Sequence, residues 1–342
     1  MEADSTTYDD NSKGLLTDVF PFPISPGNKK LYMNLTCYIS DKSLESQIVE
    51  KLQAFGLLPK TLKCLTGSPE CHLICKTARV IDRVQWLCEG CGKRQPIRSG
   101  SFFLRLQCSL LQALQIILAW SEDADCATVA EHFGMKPKVV NAIYDKLDDL
   151  ARKEHRKAKL GGEGCVVIAE MYPNCLNRLS PDTTDQPHVH RILMLADTKH
   201  IPTAYKLHVI RDDLKRQLVG TLDDQVLRHE VEKVVSLEVD PESILVMGSD
   251  VPVLEGAVTI QQLAQQCDVE MQHFLTSRIW RQAVTLCNAS RDLCVGNTSM
   301  ACAASVQRYL DTSLYRLRYG DGFYSHILDI IADQFTEKIS DV

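Results

Sequence analysis

The residues best equipped for chemistry are sulfurs. Cys88-Glu89-Gly90-Cys91 sets two thiols two residues apart, and Gly92 lets the chain turn around whatever they hold. Such a pair grips one side of a tetrahedral zinc ion. The other side has to come from upstream. Cys64 is followed by Leu65, Thr66 and Gly67 with no cysteine three residues on, and Cys71, His72 and Cys75 are the available substitutes for that missing ligand. Cys64, Cys71, Cys88 and Cys91 are the candidate metal ligands and zinc the expected ion. A ribbon that has lost its metal, or cysteines merely packed in a core, would leave the same spacing.

The second stretch to weigh is Leu160–Met171, LGGEGCVVIAEM. Its glycines end a helix, and the apolar run from Cys165 to Ile168 reads as a buried strand of an α/β core. Many nucleic-acid enzymes place a metal-binding aspartate at the end of such a strand. Here that place is Ala169, and strand alternation sends the neighbouring Glu170 to the opposite face. Gly161-Gly162-Glu163-Gly164 precedes a strand instead of opening a helix after one, so it is no phosphate loop. His188-Val189-His190 with Asp185 has metal-ligating types, but the pattern favours a packing role.

The chain carries a formal charge of −6, unevenly spread: Lys60 to Lys159 is net +6 and the remainder −12. A basic segment in an acidic chain suggests a local polyanion-binding surface. Within it, Ala127–Phe133, Gly134 and a helix opened by Pro137 have helix-turn-helix form, packed through Val139, Val140, Ile143 and Leu147. Lys136, Lys138 and Asn141 would stand near the exposed N-terminal end of the second helix, the end that meets bases or phosphates. Arg152, Lys153, Arg156 and Lys157 continue it as a basic run whose phosphate contacts would be nonspecific and salt-sensitive.

The elements that must position these groups follow from pattern. Residues 1–42 are polar and proline-bearing and read as a disordered tail. Residues 43–105 hold an amphipathic helix, Ser43 to Phe55, capped by Ser43 and stopped by Gly56, and then the ribbon. Residues 106–160 are the helical region, whose first helix runs through Trp120. Residues 161–338 read as an α/β domain, with strands at Gly164–Glu170, His190–Asp197, Ala204–Ile210 and Ser243–Gly248. Helices are expected at Leu222–Val235, Val258–Cys267, Thr276–Cys287, Ser305–Leu317 and Tyr324–Glu337. The class is α+β and multidomain. Most cysteines are expected to be buried reduced thiols. The acidic N-terminus is not a secretory signal, and no apolar run is long enough for a transmembrane helix.

In order, the chain presents a Leu57-Leu58-Pro59 lead-in, the cysteine ribbon, Ile97-Arg98-Ser99-Gly100-Ser101-Phe102-Phe103, a helix ending in Trp120, and the helical hairpin. The Gly161-Gly162 strand entry and a closing Tyr309-Leu310-Asp311-Thr312-Ser313-Leu314-Tyr315-Arg316-Leu317-Arg318 complete the series. This succession resembles a Merlin-type (ISXO-like) DDE transposase over roughly Ser43 to Phe335. The resemblance implies an RNase H-like catalytic domain and an ancestor that cut DNA with two divalent ions held by Asp, Asp and Glu. Carried onto this sequence the acids are broken: the first position is Ala169, the second is retained as Asp250, and the third, set from Trp280, is Ser277. One carboxylate is too few, so no catalytic Mg²⁺ is expected.

The expectation is a catalytically inactive, transposase-derived protein of the nucleus that binds DNA or chromatin. Two other outcomes stay open: a protein-interaction scaffold without DNA binding, and an active metal-dependent transposase or nuclease. Protein partners and a homo-oligomer are compatible with the resemblance, and no membrane partner is expected.

Overall fold

The computed structural model describes residues 20–37, 43–67, 69–172, 188–198, 204–210, 221–266, 280–295 and 300–340. The chain divides into two compact units. Unit 1 takes the residues up to Leu147 and those from Asp321 onward, and unit 2 takes Asp148–Gly320.

Unit 1 opens with α1 (Pro26–Thr36) and α2 (Leu44–Phe55). Ser43 caps α2 by accepting the Ser46 amide, and Gly56 ends it in the left-handed conformation at φ 88°. There a side chain would be strained and the amides of Leu57 and Leu58 turn back to Leu52. The ribbon follows as an antiparallel sheet of β1 (Leu73–Thr77), β2 (Val84–Cys88) and β3 (Arg94–Pro96). Its register pairs Leu73 with Cys88 and Gln85 with Pro96. Then come α3 (Leu110–Ser121), α4 (Cys126–His132) and α5 (Pro137–Lys157), the last crossing the unit boundary. A full capping box of Ser109 and Gln112 starts α3. Every residue from Ala113 to Ser121 is buried, so α3 is the central helix of the unit.

Two expectations about this unit are corrected. Residues 1–42 are not all tail, because α1 is a helix whose Tyr32 and Leu35 are buried. Pro26 starts the helix at the position where proline's missing N–H costs nothing. The Ser25 amide and hydroxyl and the Asn28 amide all donate to one oxygen of Glu122. The C-terminal helix, α10 (Phe323–Ser340), belongs to this unit and not to the domain drawn over 161–338. It packs on α1 and α3, with the Phe323 and Trp120 rings 5.2 Å apart.

Unit 2 is built on a mixed sheet ordered β6-β5-β4-β7-β8. Its strands are β4 (Val166–Tyr172), β5 (Ile192–Asp197), β6 (Tyr205–Val209), β7 (Ile244–Met247) and β8 (Val258–Thr259). β4, β5 and β6 pair antiparallel, while β7 and β8 run parallel to β4. Helix α6 (Thr221–Glu238) covers one face through Val231 and Val234, against Val167, Ala169, Met171 and Met247. The other face, carrying Ile168, Tyr172, Met194 and Val246, packs under α8 (Trp280–Ala289) and α9 (Met300–Tyr319). Burial on both faces is why β4 reads as an apolar run broken only by Glu170. Val258 and Thr259 form a short edge strand, not the start of a helix; α7 begins after them at Ile260–Gln266. Not all cysteines outside the ribbon are reduced thiols, since Cys294 and Cys302 form a disulfide. Among the described residues no helix is long and apolar enough to cross a membrane.

Candidate metal centre and nucleic-acid interface

The knuckle that holds Cys88 and Cys91 forms because β2 must reverse into β3. Cys88 both donates to Lys93 O and accepts from the Gly92 amide, whose φ of 70° allows the turn. The facing loop comes close: a β-carbon at Gly90 would overlap the backbone of Glu70, so glycine is required there. The Glu89 amide, donating to His72 O at 2.8 Å, fixes the two loops together. The sulfurs of Cys64, Cys71, Cys88 and Cys91 consequently lie within 4.8 Å of one another. Zinc–thiolate bonds of about 2.3 Å imply sulfur–sulfur edges of about 3.8 Å in a tetrahedron, and Cys64 and Cys91 stand 3.5 Å apart. This cluster could hold a metal ion such as zinc. The other two substitutes do not take part: His72 is exposed and uses its backbone, and Cys75 is exposed on β1 opposite Trp86.

Thr66, unremarked in the sequence, sits among the sulfurs. Its hydroxyl is 2.8 Å from Cys64 Sγ, 3.2 Å from Cys91 Sγ and 3.5 Å from Cys71 Sγ. Hydrogen bonding from Thr66, aided by the Lys93 backbone, lowers the Cys91 thiol to about 6, and Thr66 likewise lowers Cys64. Thr66 lowers Cys71 too, but burial and the three neighbouring sulfurs outweigh it and push that thiol up to about 11. Thiolate, the form a metal needs, is thus favoured first at Cys91.

The ribbon rests on a buried ion pair that sequence reading also missed. Arg98 Nε and Nη2 fork onto the carboxylate of Asp82 at 2.7 and 2.5 Å, and the guanidinium also reaches Leu106 O and Cys108 O. The arrangement satisfies an otherwise costly buried charge and binds ribbon to the lead-in of α3.

The helical hairpin forms as its sequence implies. Asp125 caps α4 through the Thr128 amide, a hydrogen bond that also lowers the Asp125 carboxyl, and Gly134 turns the chain at φ 60°. Lys136 and Lys138 are exposed at the start of α5. Asn141 is exposed too, but its side-chain oxygen accepts from Cys126 Sγ at 2.7 Å, so that side chain is partly committed to α4. In unit 2, the basic run is largely paired. Arg152 meets Asp149 at 3.6 Å, Lys157 meets Glu154 at 2.6 Å, and Arg156 meets Asp311 at 3.4 Å. Burial pushes the Asp311 carboxyl up, against the lowering by Gln307 and Arg156. Lys153 is exposed and makes no ion pair among the described residues.

At the strand end the positions of the carried-over acids separate. Ala169 is fully buried, paired with Leu195 on β5 and Met247 on β7, on the α6 side of the sheet. Glu170 sits across from Met194, on the α8 and α9 side, and is itself 3% exposed. Asp250 is exposed in the turn after β7, and among the described residues it joins no group of three or more metal-ligating side chains. Ser277 and Asp185 lie outside the described residues. Comparison with family models, curated proteins and solved structures returned no significant match.

Proposed function

We propose that this chain is a DNA- or chromatin-binding protein of transposase descent that has kept the scaffold of a Merlin-type enzyme and lost its catalysis. The observation that carries the reading is Ala169. An ion-binding aspartate would have to stand where a methyl group is sealed among Val167, Leu195 and Met247, with no measurable exposure. A carboxylate there would be an unpaired buried charge, so the position now serves packing. The sheet order, with three antiparallel strands followed by two running parallel to β4, supports an RNase H-like assignment for unit 2. The ribbon cluster and the helical hairpin support a retained grip on DNA, with zinc as the structural ion and the nucleus as the compartment. Of the candidate cations on or next to α5, Lys136, Lys138 and Lys153 are exposed outside the ion pairs of Arg152, Arg156 and Lys157 and are assigned to phosphate.

A second reading, a protein-interaction scaffold, is favoured by one fact: Arg152, Arg156 and Lys157 are already paired with acids. Fluorescence anisotropy with duplex DNA across a salt series separates the two. The DNA reading expects log affinity to fall linearly with log salt, by about 0.9 per phosphate neutralised, and a Lys136→Glu, Lys138→Glu, Lys153→Glu variant to bind far more weakly. Absence of binding at low salt selects the scaffold. DNA cleavage with Mg²⁺ or Mn²⁺ that disappears in Asp250→Ala overturns the loss of catalysis.

A further inference from the structure

Unit 2 holds a second set of soft ligands that the DNA reading does not use. His190 lies just before β5, Cys294 closes the 3-10 turn Ser290–Cys294, and Cys302 lies in the first turn of α9. Their ligating atoms fall within 4.8 Å of one another, and all three side chains are buried. His190 Nε2 is 3.4 Å from Cys302 Sγ. The Cys294 and Cys302 α-carbons are 5.7 Å apart, close enough for the disulfide they form and for sharing one ion.

A chain of hydrogen bonds holds this set in place. The His190 amide donates to His188 Nδ1 at 2.9 Å, and the same ring nitrogen lies 3.1 Å from His190 O. His188 Nε2 lies 3.1 Å from Ser290 Oγ, and the Ser290 hydroxyl donates to Cys287 O at 2.7 Å. The backbone that presents His190 and the turn that presents Cys294 therefore hang from one imidazole, that of His188. Buried groups that orient ligands in this way are a recurrent feature of metal sites.

We propose that His190, Cys294 and Cys302, once the disulfide is reduced, form a zinc-binding site separate from the ribbon. Two thiolates and an imidazole are the donor set that selects zinc among abundant divalent ions. They also cancel the double charge of the ion, which a buried site requires. The chemistry balances. A phosphine takes oxygen from water to become its oxide, and the Cys294–Cys302 bond accepts two electrons and two protons to give two thiols. Zinc then displaces both thiol protons and takes the lone pair of His190, leaving a fourth position that none of these three residues fills.

The test uses the full chain, reduced with a phosphine and loaded with zinc or cobalt(II). Wild type is expected to bind one more zinc per chain than His190→Gln. A cobalt-loaded variant with Cys64→Ser, Cys71→Ser, Cys88→Ser and Cys91→Ser, which has none of the four ribbon-cluster thiolates, should show a two-thiolate charge-transfer spectrum. Zinc should also protect Cys294 and Cys302 from alkylation, read peptide by peptide. Equal zinc content in wild type and His190→Gln overturns the proposal. So does alkylation of Cys294 and Cys302 at the same rate with and without zinc, a readout that needs no variant to fold.

Discussion

Glu170 and Gly248 share one space. The buried carboxylate of Glu170 lies so close to Gly248 that any β-carbon there would overlap Oε1 and Cδ. Gly248 in turn donates its amide to Ala169 O at 2.8 Å, so its backbone cannot retreat. Gly248→Ala is expected to destabilise the fold by about 1–3 kcal/mol. Adding Glu170→Ala should return part of that loss. Urea denaturation of the two single variants and the double variant measures the coupling, and strict additivity would sink the idea.

The ribbon should depend on both of its fastenings. A chelator, or Cys88→Ser, is expected to loosen the turn at the end of β2 and expose Trp86, which is 2% exposed in the folded chain. Red-shifted tryptophan emission reads this directly. Asp82→Ala strands the Arg98 guanidinium in the interior and should cost about 3–5 kcal/mol. If Asp82→Ala unfolds no more easily than wild type, Arg98 is not the fastening described.

These two cases show what a sequence can and cannot disclose. The Cys88–Cys91 pair is visible because metal chemistry demands its spacing, and β4, β5 and β7 are visible because burial on both faces makes them largely apolar. The Arg98 fork is not visible, because Asp82 lies sixteen residues away in chain and only the ribbon's register brings it near. Thr66 was hidden because its hydroxyl reaches Cys91, 25 residues on, only where the two loops close. Helix α1 was misjudged because three prolines in a polar stretch look like linker, although one of them is a helix start. The Cys294–Cys302 bond escaped because neither cysteine has a framework spacing.

Stability should fall with acidification, and two histidines set the window. Burial, joined by the positive charges of Lys206, Arg318 and Arg156, lowers His155 to about 3; burial and His190 lower His188 to about 4. Below the ordinary value of about 6.5 the unfolded chain takes up these protons and the folded chain does not. Stability is therefore complete above that pH and declines below it, by up to about 1.4 kcal/mol per pH unit for His155 and by less for the more solvated His188. Neither ring nitrogen of His155 has a hydrogen-bond partner among the described residues, so His155→Leu should fold and show a shallower slope. Denaturation midpoints between pH 7 and 5 decide it; an unchanged slope in the variant rejects the assignment.

Tyr324 offers the reverse kind of test. The side chain is fully buried beside Tyr32 in unit 1, and its hydroxyl has no hydrogen-bond partner among the described residues. Burial first, and Tyr32 after it, pushes its ionisation upward. Tyr324→Phe removes a desolvated group without removing a bond and should stabilise by about 1–2 kcal/mol. A lower melting temperature in the variant would mean that the hydroxyl has a partner.

The packing of α10 on α1 and α3 has a bearing on how the protein comes into being. Emergence from the ribosome is vectorial, and the face of α3 around Trp120 meets Phe323 only after some two hundred intervening residues have been translated. Until then that apolar surface is open to chaperones and to other nascent chains. A premature stop before Phe323 would leave it open for good, so damage at the far end of the message is expected to show itself at the beginning of the protein, as aggregation or degradation of the ribbon-bearing half.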